Sequence, residues 1–539
     1  MPESPNVSKT LRLPKQLTRL QGGTLGLLIL CLIALRLQNA TESLWLDELH
    51  TAWVISGNMS EVLPRALIGN QSPFFFWLVS FTTILSTENE ISLRLPSLIC
   101  GIGLIPLSFL LVWRWTQSVS AAFLTSALMS IDPDYIFYAQ EARPYACVQL
   151  VVLLQILSFA RFMSCCVPEL RSHETQTASK SSWSHVDVPL ISSSLILCYL
   201  HYTALAILAV EFLVVIETIC CWHPPRKFYR RLFIFSCLFV VGILPAVPHM
   251  IEIGSRRSNW NQFISAEITF ADWATMIPWL PYCIVPMGFM ITSRITARIV
   301  AEQPAPSVQC TSLWWFWRLS ALWVIIPMTI AALLTISDSA RVFLLRYVII
   351  TTVAAPIFAG LCLALTPSHL AKTLLFLSAL TAALWQSQII PLWMNEGLVI
   401  APRNEDWRSA IEHINQEAVY TDLPLLLRSG LIEADALDRN PSAELREYCL
   451  LPVSGLYRIN NSQQEIFSLL TTRPGTLDSK IVSAVSKAGG ALLLTKGGES
   501  TAATISELVS ARMAASGVKM KPSKPKSFGT IQVTILLAI

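Results

Sequence analysis

Long apolar runs separated by short polar loops extend from about residue 22 to about residue 391, and they constrain the fold more than any other feature. Only 14% of the 539 residues are charged, whereas soluble proteins carry roughly 25%. An apolar run of about 18 residues is long enough to cross a bilayer as a helix. The sequence therefore predicts a polytopic α-helical membrane protein.

The basic residues orient the predicted spans. Lys9, Arg12, Lys15 and Arg19 precede the first run, and a second basic cluster lies at Arg226–Arg231. Basic loops face the cytoplasm. Both clusters do so if the short run Phe74–Ile84 lies along the membrane instead of crossing it. We therefore predict about eleven transmembrane helices, at about 22–39, 94–115, 118–131, 144–164, 188–200, 203–221, 232–251, 273–292, 313–336, 347–365 and 373–391.

This pattern divides the chain into three parts. We predict a cytoplasmic N-terminal tail at 1–21, a transmembrane domain at 22–395 whose first outer loop is 40–93, and an extracytoplasmic domain at 396–539. Strand and helix patterns alternate in the last part, so we predict that it forms a small α/β domain with a partly parallel sheet. Its predicted elements are helices at 406–414, 480–488 and 505–514 and strands at 418–421, 491–495 and 529–536.

The net charge and the predicted topology also limit the possible partners and the location of the protein. The net charge is only +4, and we find no basic stripe interleaved with aromatic residues, so no nucleic-acid partner is expected. We expect a multi-pass protein of the cytoplasmic (inner) membrane, with its N-terminus in the cytoplasm.

Four polar clusters fall on the outer face in this topology. They are Asp47-Glu48, Gln140 to Arg143, His201-Tyr202, and Arg341 with Arg346-Tyr347. Carboxylates can act as a base, and an arginine is a fixed cation for a phosphate. Together they suit a reaction in which a base deprotonates an acceptor hydroxyl while a phosphate leaves. We expect Arg94, by contrast, to reach the membrane interface as an ordinary snorkelling arginine.

Several of these segments resemble a known family, the family 39-type glycosyltransferases with the GT-C fold. The resemblance covers about residues 20–370. It is carried by Trp45-Leu46-Asp47-Glu48 with Thr51, by Pro73–Trp77, by Ser92–Ser97, by Tyr138–Ala146 as a second acidic motif, and by Arg346-Tyr347 as a late arginine.

The resemblance implies a function. Members such as protein O-mannosyltransferases and lipid A aminoarabinose transferases move a sugar from a polyprenyl-phosphate carrier to an acceptor outside the cytoplasmic membrane. The acceptor of this chain stays open between a lipid, a glycan and a protein. The donor sugar, a hexose or a pentose, stays open as well.

The resemblance also implies roles for individual residues. Asp47 would be the catalytic base, with Glu48 supporting it and Glu141 as a second catalytic carboxylate. We expect no essential cofactor, although Asp47 and Glu141 would suit Mg²⁺ or Mn²⁺ if a metal binds. The resemblance further implies that Arg346 binds the donor phosphate. From its predicted position on the outer face, Arg143 is a second candidate for the phosphate, with an ion pair to Glu141 as the alternative. His201, Tyr202 and Tyr347 would form a donor or acceptor pocket, with packing of His201 against Tyr202 as the alternative.

Two other functions remain open at this point. A transporter or flippase of a lipid-linked saccharide would place ionisable residues near mid-membrane. Glu211 is the clearest such candidate, with Glu217 nearer the inner end. A non-catalytic partner subunit is a third possibility, although the intact set of Asp47, Glu141 and Arg346 argues against it.

Overall fold

A computed structural model describes most of the chain. It covers residues 33–84, 89–167, 187–256, 264–265, 267–300, 308–417, 420, 422–439 and 442–539, together with residues 26 and 30. The predicted N-terminal tail at 1–21 and most of the predicted first span at 22–39 therefore lie outside the described residues.

The described part is mostly helical, with a small C-terminal sheet. The helices are α1 Leu46–Ile55, α2 Val62–Ile68, α3 Phe74–Ile84, α4 Glu90–Thr116, α5 Val119–Ile131, α6 Pro133–Ala139, α7 Tyr145–Cys166, α8 Val188–Leu200, α9 Ala206–Trp222, α10 Arg226–Ile243, α11 Val247–Ser255, α12 Phe270–Thr275, α13 Val285–Val300, α14 Val308–Ile336, α15 Ile349–Leu365, α16 His369–Gln386, α17 Ile389–Glu396, α18 Trp407–Gln416, α19 Ala443–Cys449, α20 Leu451–Ser454, α21 Ser479–Ala488 and α22 Glu499–Ala515.

The chain is a membrane protein. Within the described ranges, five helical segments are long and apolar enough to cross a membrane, or up to six if the bent pair α16 and α17 forms one span. The five are Glu90–Thr116, Tyr145–Cys166, Tyr202–Trp222, Arg226–Ser255 and Ser312–Ile336. Each of them coincides with a span predicted from the sequence.

The other predicted spans differ in detail from the structure. Helices α5, α8 and α15 occupy their predicted positions but have only 13, 13 and 17 residues. The predicted span at 273–292 is not one continuous helix, because residues 276–278 are not helical. They separate α12 from a π-helical turn at Leu280–Ile284, which continues into α13. The prolines at 278, 281 and 286 remove backbone N–H donors in this interval. The total of about eleven crossings and their orientation stay predictions.

The C-terminal domain contains one six-stranded sheet. Its strands are β1 Leu425–Arg428, β2 Ile466–Ser468, β3 Gly490–Lys496, β4 Met520–Pro522, β5 Lys526–Phe528 and β6 Ile531–Ala538. The order is β2-β1-β3-β6-β4, and β5 also pairs with β6. Pairs β1–β2 and β1–β3 are parallel, whereas β6 is antiparallel to β3, β4 and β5. The predicted partly parallel sheet is thus confirmed.

One strand prediction is displaced. The strand expected at 418–421 falls mostly outside the described residues, and Tyr420 within it is helical. The first strand of the sheet is instead β1, where Leu425, Leu426 and Leu427 are fully buried. A strand that is covered on both faces is apolar at every position and lacks the alternation of apolar and polar residues that identifies a strand. The sequence pattern alone therefore did not mark this run as a strand.

The C-terminal domain contacts the start of helix α1, in the loop at 40–93, through several residues. The Tyr457 hydroxyl accepts the N–H of Leu44 at 2.8 Å, and Glu405 Oε1 accepts the N–H of Leu46 at 2.8 Å. Lys496 Nζ pairs with the other oxygen of Glu405 at 2.8 Å. A helix N-terminus leaves its first N–H groups without intrahelical partners. The C-terminal domain therefore caps the helix that begins one residue before Asp47.

Candidate active site

A cavity of about 390 Å³ lies where α1, the start of α7, the segment before α15 and the C-terminal domain meet. This volume lies within the range of ligand-binding pockets, roughly 300–1,000 Å³. Six predicted site residues line it: Asp47, Arg143, His201, Tyr202, Arg346 and Tyr347. The structure thus brings together positions that are up to 300 residues apart in the sequence. Glu48 and Glu141 do not line the cavity.

Asp47 and Arg346 face each other at the cavity wall. Arg346 Nη1 lies 3.7 Å from Asp47 Oδ2, and the two side chains are 34% and 30% exposed. The Arg346 guanidinium also lies over the Tyr347 ring, 5.4 Å from its centroid. A carboxylate and a cation are therefore accessible to the same bound molecule.

Glu48, the next residue on α1, points away from the cavity and is fully buried. Arg94 contacts both its oxygens, with Nε 2.7 Å from Oε1 and Nη2 2.5 Å from Oε2, and Arg403 Nη1 lies 2.6 Å from Oε2. The N–H of Ala142 donates to Oε1 at 2.7 Å. Burial would raise the pKa of Glu48, but the charges of Arg94 and Arg403 lower it to about 2. Both of its oxygens are occupied by these partners, so Glu48 fixes α1 against α4, the loop before α7 and the C-terminal domain.

Arg94 therefore corrects one expectation from the sequence. It is fully buried and does not extend to the membrane interface as a snorkelling arginine. Besides Glu48, it donates to the carbonyls of Ala40 at 2.9 Å and Glu42 at 2.8 Å. Its planar guanidinium satisfies several acceptors at once, which suits arginine better than lysine.

The loop that contains Glu141 packs directly on α1. The Thr51 hydroxyl donates to the carbonyl of Ala142 at 2.7 Å, one turn after Glu48 accepts the N–H of the same residue. Glu141 itself is only 1% exposed, and its Oε2 has no hydrogen-bond partner within the described part of the chain. Burial raises its pKa to about 8, although Arg403 opposes the rise. Glu141 is thus a buried acid behind the cavity wall.

Arg143 connects this loop to the cavity. It is 4% exposed, and its Nη1 lies 3.3 Å from the backbone oxygen of Asp47 and 3.3 Å from His50 Nδ1. Its own carbonyl accepts the Ser97 hydroxyl at 2.8 Å. Arg143 therefore brings a second positive charge to the cavity while it holds the backbone at Asp47.

The three predicted pocket residues, His201, Tyr202 and Tyr347, all line the cavity. His201 Nδ1 lies 2.8 Å from the Thr203 hydroxyl, and its ring is 6.0 Å from the Tyr347 ring. Burial lowers the pKa of His201 to about 4, and the nearby charges of Arg143 and Arg346 add to this effect. The Tyr202 hydroxyl lies 2.8 Å from His249 Nδ1. At neutral pH His201 therefore adds no charge to the cavity.

Three further cavity residues were not found by sequence reasoning. His50 lies one turn after Asp47 on α1, whereas Glu433 and Tyr448 come from the C-terminal domain. Burial raises the pKa of Glu433 to about 7, and the charge of Asp47 contributes to the rise. The spacing of His50 from Asp47 could have indicated a shared helix face. No local pattern marks Glu433 or Tyr448, because tertiary contacts alone bring their domain to this cavity.

The two carboxylates that would suit a metal, Asp47 and Glu141, have different surroundings. Asp47 lines the cavity beside Arg346, whereas Glu141 does not open onto it. Within the described ranges, no group of three or more His, Cys, Asp or Glu residues is arranged to hold a metal ion. We therefore derive no chemical step through a metal.

Comparisons with known proteins bear on the fold. No family model matches the chain, and no curated protein matches it. Among solved structures, apo ArnT from Cupriavidus metallidurans has 13% sequence identity and a TM-score of 0.50, and the alignment covers 95% of this chain and 98% of ArnT. The apo oligosaccharyltransferase from Archaeoglobus fulgidus has 12% identity and a TM-score of 0.46, with 88% of this chain and 69% of that chain covered.

The chain has the GT-C fold. The similarity to ArnT extends over nearly the whole length of both chains, and ArnT is a GT-C fold glycosyltransferase. The predicted GT-C fold with a small C-terminal α/β domain is thus confirmed. At 13% identity the similarity establishes the fold alone, so the roles of individual residues rest on the site geometry.

We predict that loss of the Glu48 charge strongly lowers the stability of the folded protein. Glu48→Gln leaves Arg94 and Arg403 buried without their counter-charge, and removal of one partner from such a pair costs about 3–5 kcal/mol. We expect a clearly lower thermal unfolding midpoint for the purified protein. Asp438→Asn is the matched control, since its pair with Arg473 is largely exposed and is worth about 0–1 kcal/mol. Equal shifts in both variants would contradict the assigned role of Glu48.

Glu141 predicts a pH-dependent stability. Its pKa of about 8 means that the folded chain keeps a proton that the unfolded chain, with a pKa near ~4.3, has lost. Through this group, the free energy of unfolding falls as the pH rises from about 5 to about 8. Glu141→Gln cannot ionise, so its unfolding midpoint should rise relative to that of the wild type by several degrees over this interval. A constant difference between the two proteins from pH 5 to pH 9 would exclude a buried, protonated Glu141.

Proposed function

We propose that this chain is a membrane glycosyltransferase that moves a sugar from a polyprenyl-phosphate donor to an acceptor hydroxyl. The observation that carries the proposal is the pair Asp47 and Arg346, 3.7 Å apart at the wall of a ligand-sized cavity. A base and a phosphate-binding cation are the two groups that such a transfer needs most. The GT-C fold is the expected scaffold for this activity.

Asp47 is proposed as the general base. Its carboxylate takes the proton of the acceptor hydroxyl while the acceptor oxygen attacks the anomeric carbon of the donor sugar. The bond between that carbon and the phosphate oxygen breaks, and the electron pair leaves with the polyprenyl phosphate. The products are a glycosylated acceptor of inverted configuration and a free lipid phosphate, and the proton stays on Asp47 until solvent removes it.

Arg346 is proposed to hold the phosphate, and Arg143 supplies a second positive charge. Negative charge on the phosphate grows as the sugar departs, so a fixed cation stabilises the transition state more than the ground state. Arg346 lies beside Asp47. A bound phosphate would replace that carboxylate as its partner and leave Asp47 available for the acceptor. Every role in this scheme is filled by a side chain, and we propose no essential metal.

The C-terminal domain is proposed to close the cavity over the substrates. Residues 430–433 and Tyr448 form part of the cavity wall. A domain that packed only on the outside of the helices would supply no residues to this wall. We place the reaction on the outer face of the cytoplasmic membrane, and the acceptor is a lipid, a glycan or a protein.

The transporter alternative gains no support from Glu211. This carboxylate is 5% exposed, and the Gln155 amide donates to it at 3.0 Å. Glu217 pairs with Arg318 at 2.5 Å. Both carboxylates therefore take part in contacts between helices, as expected of groups that stabilise helix packing.

Asp47→Asn tests the base. The change keeps the size of the side chain but removes the proton acceptor, so turnover should fall by at least ~10²-fold. The assay measures release of undecaprenyl phosphate from undecaprenyl-phosphate monosaccharides by the purified chain, with a membrane extract as the source of acceptor. Near wild-type turnover by a folded Asp47→Asn protein would contradict the assignment.

Arg346→Lys tests the phosphate contact. Lysine keeps the charge but cannot donate two parallel hydrogen bonds, so we expect kcat to fall by roughly 10- to 100-fold. Arg341→Lys is the matched control. Arg341 also lines the cavity, but its guanidinium is held by Asp338 at 2.9 Å and by the carbonyl of Ile264 at 2.8 Å. Equal, mild effects at both positions would show that Arg346 does not bind the phosphate.

A further inference from the structure

Two polar side chains of the C-terminal domain line the cavity that contains the proposed base. They are Glu433, in the short 3₁₀ helix Ile432–Ala436, and Tyr448, near the end of α19. The proposed transfer step gives neither of them a role. The domain therefore brings polar groups of its own to the cavity wall beside Asp47.

Glu433 offers a carboxyl group that is not engaged by the protein. The residue is partly exposed and lines the cavity. Arg256 is the cation whose charge acts on it, but the Arg256 guanidinium donates to Glu252 at 2.6 Å and to the carbonyl of Leu67 at 3.1 Å. Within the described part of the chain, no hydrogen bond or ion pair joins the Glu433 side chain to another residue. A bound molecule is therefore free to pair with it.

Tyr448 presents its hydroxyl to the same cavity. Its ring packs edge-on against His50, with centroids 5.5 Å apart, and against Trp53, with centroids 5.2 Å apart, so its orientation is fixed. The residue is only 3% exposed and lines the cavity. Among the described residues its hydroxyl has no hydrogen-bond partner, yet this oxygen is not one of the fully enclosed atoms. The small accessible surface of Tyr448 thus includes an unpaired hydroxyl.

The charges around Glu433 place it on the side of the proposed base. Burial raises the pKa of Glu433, and the charge of Asp47 adds to the rise, whereas Arg143 and Arg346 do not contribute. Electrostatic effects weaken with distance. Burial also raises the pKa of Tyr448 well above its usual value, and the charges of Glu433 and Asp47 raise it further. Glu433, Tyr448 and Asp47 are therefore grouped around one part of the cavity, and Tyr448 stays a neutral hydroxyl.

A second hydroxyl on the acceptor would suit these two groups. The attacking hydroxyl gives its proton to Asp47, so Glu433 and Tyr448 need another polar group of the acceptor as their partner. A carboxylate accepts hydrogen bonds, a neutral phenol donates and accepts them, and a hydroxyl pairs with either. A serine or threonine side chain carries only the attacking hydroxyl, whereas a saccharide carries hydroxyls on adjacent carbons. This part of the cavity therefore favours a saccharide.

We infer that Glu433 and Tyr448 bind a hydroxyl next to the attacking one, and that the acceptor is therefore a saccharide. This inference rests on the proposed function and names the acceptor class for the same cavity. The two residues determine acceptor specificity, because they contact the acceptor beside Asp47 while Arg346 holds the donor phosphate. The saccharide belongs to a free glycan or to the headgroup of a lipid, which share this chemistry.

The kinetic test separates acceptor binding from donor binding. The purified full chain in lipid nanodiscs receives a saturating undecaprenyl-phosphate monosaccharide, and membrane extract is titrated as the source of acceptor. Tyr448→Phe removes the hydroxyl and keeps the ring, whereas Glu433→Gln keeps the size of the side chain and removes its charge. Each change should raise the half-saturating amount of extract by about tenfold, with less than about a twofold change in the dissociation constant of undecaprenyl phosphate.

Two matched controls lie in the same domain. Tyr420→Phe removes a hydroxyl that lies 3.4 Å from His413 Nε2, and Glu444→Gln changes an exposed carboxylate on α19. Neither Tyr420 nor Glu444 lines the cavity. Neither change should therefore alter the half-saturating amount of extract.

The pH profile distinguishes a contact with the acceptor from a structural role. The pKa of Glu433 is about 7, and a charged carboxylate accepts a stronger hydrogen bond than a neutral carboxyl group. The charged or titratable groups that act with Glu433 are Asp47 on α1, Arg256 after α11, and Tyr448 and Cys449 on α19. As the pH rises from about 6 to about 8, the half-saturating amount of extract should fall several-fold for the wild type. This fall should persist in Tyr448→Phe and disappear in Glu433→Gln.

Chemical treatment of the extract tests the acceptor class. Periodate cleaves the bond between adjacent carbons that both carry hydroxyls, so it should abolish acceptor activity, whereas digestion of the extract with a protease should not. Separate assays of the chloroform–methanol extract and of the aqueous residue then distinguish a lipid headgroup from a free glycan.

Three outcomes would overturn the inference while the proposed function stands. One is an unchanged half-saturating amount of extract for folded Tyr448→Phe and Glu433→Gln proteins. Another is an equal loss of affinity for undecaprenyl phosphate, which would assign the two residues to the donor. The third is an acceptor that resists periodate and is destroyed by protease. If Glu433→Gln does not fold, Tyr448→Phe decides the question alone. A wild type that releases no undecaprenyl phosphate with any extract would contradict the proposed function itself.

Discussion

The rest of the site depends on the ion pairs of the buried Glu48 carboxylate with Arg94 and Arg403. Two arginines and a backbone N–H converge on it, from helix α4, from the start of the C-terminal domain and from the loop before α7. Burying three charged groups is costly unless each is paired. Glu48 and its partners come from four separate parts of the chain, so all the charges are paired only when all four parts are in place. The cluster thus couples correct folding to the position of Asp47.

Two adjacent residues consequently have different tasks. Successive side chains on an α-helix point about 100° apart, so Asp47 faces the cavity while Glu48 faces the interior. Arg143 and Thr51 add contacts between α1 and the loop before α7. The C-terminal domain caps α1 through Glu405 and then contributes its own residues to the cavity. The site is a composite, and the domain that appears separate in the sequence is part of it.

Most of the architecture could be predicted from the sequence, because apolar runs and basic loops report directly on membrane helices. Asp47, Arg346 and His201 were found because local motifs mark them. The prediction for Arg94 was wrong. A basic residue near the end of an apolar run gives the same local sequence pattern in two cases, when it extends to the membrane interface and when it pairs with a buried carboxylate. Arg403 and Glu433 were missed because they reach the site from segments that are distant in sequence, and no local pattern records such contacts.

The central claim is that Asp47 and Arg346 exchange their mutual contact for substrate. A structure of the full chain with bound undecaprenyl phosphate tests this most directly. The account predicts phosphate oxygens within about 3 Å of the Arg346 guanidinium, with Asp47 released and open to the cavity. A phosphate bound elsewhere, with Asp47 and Arg346 still in contact, would contradict it.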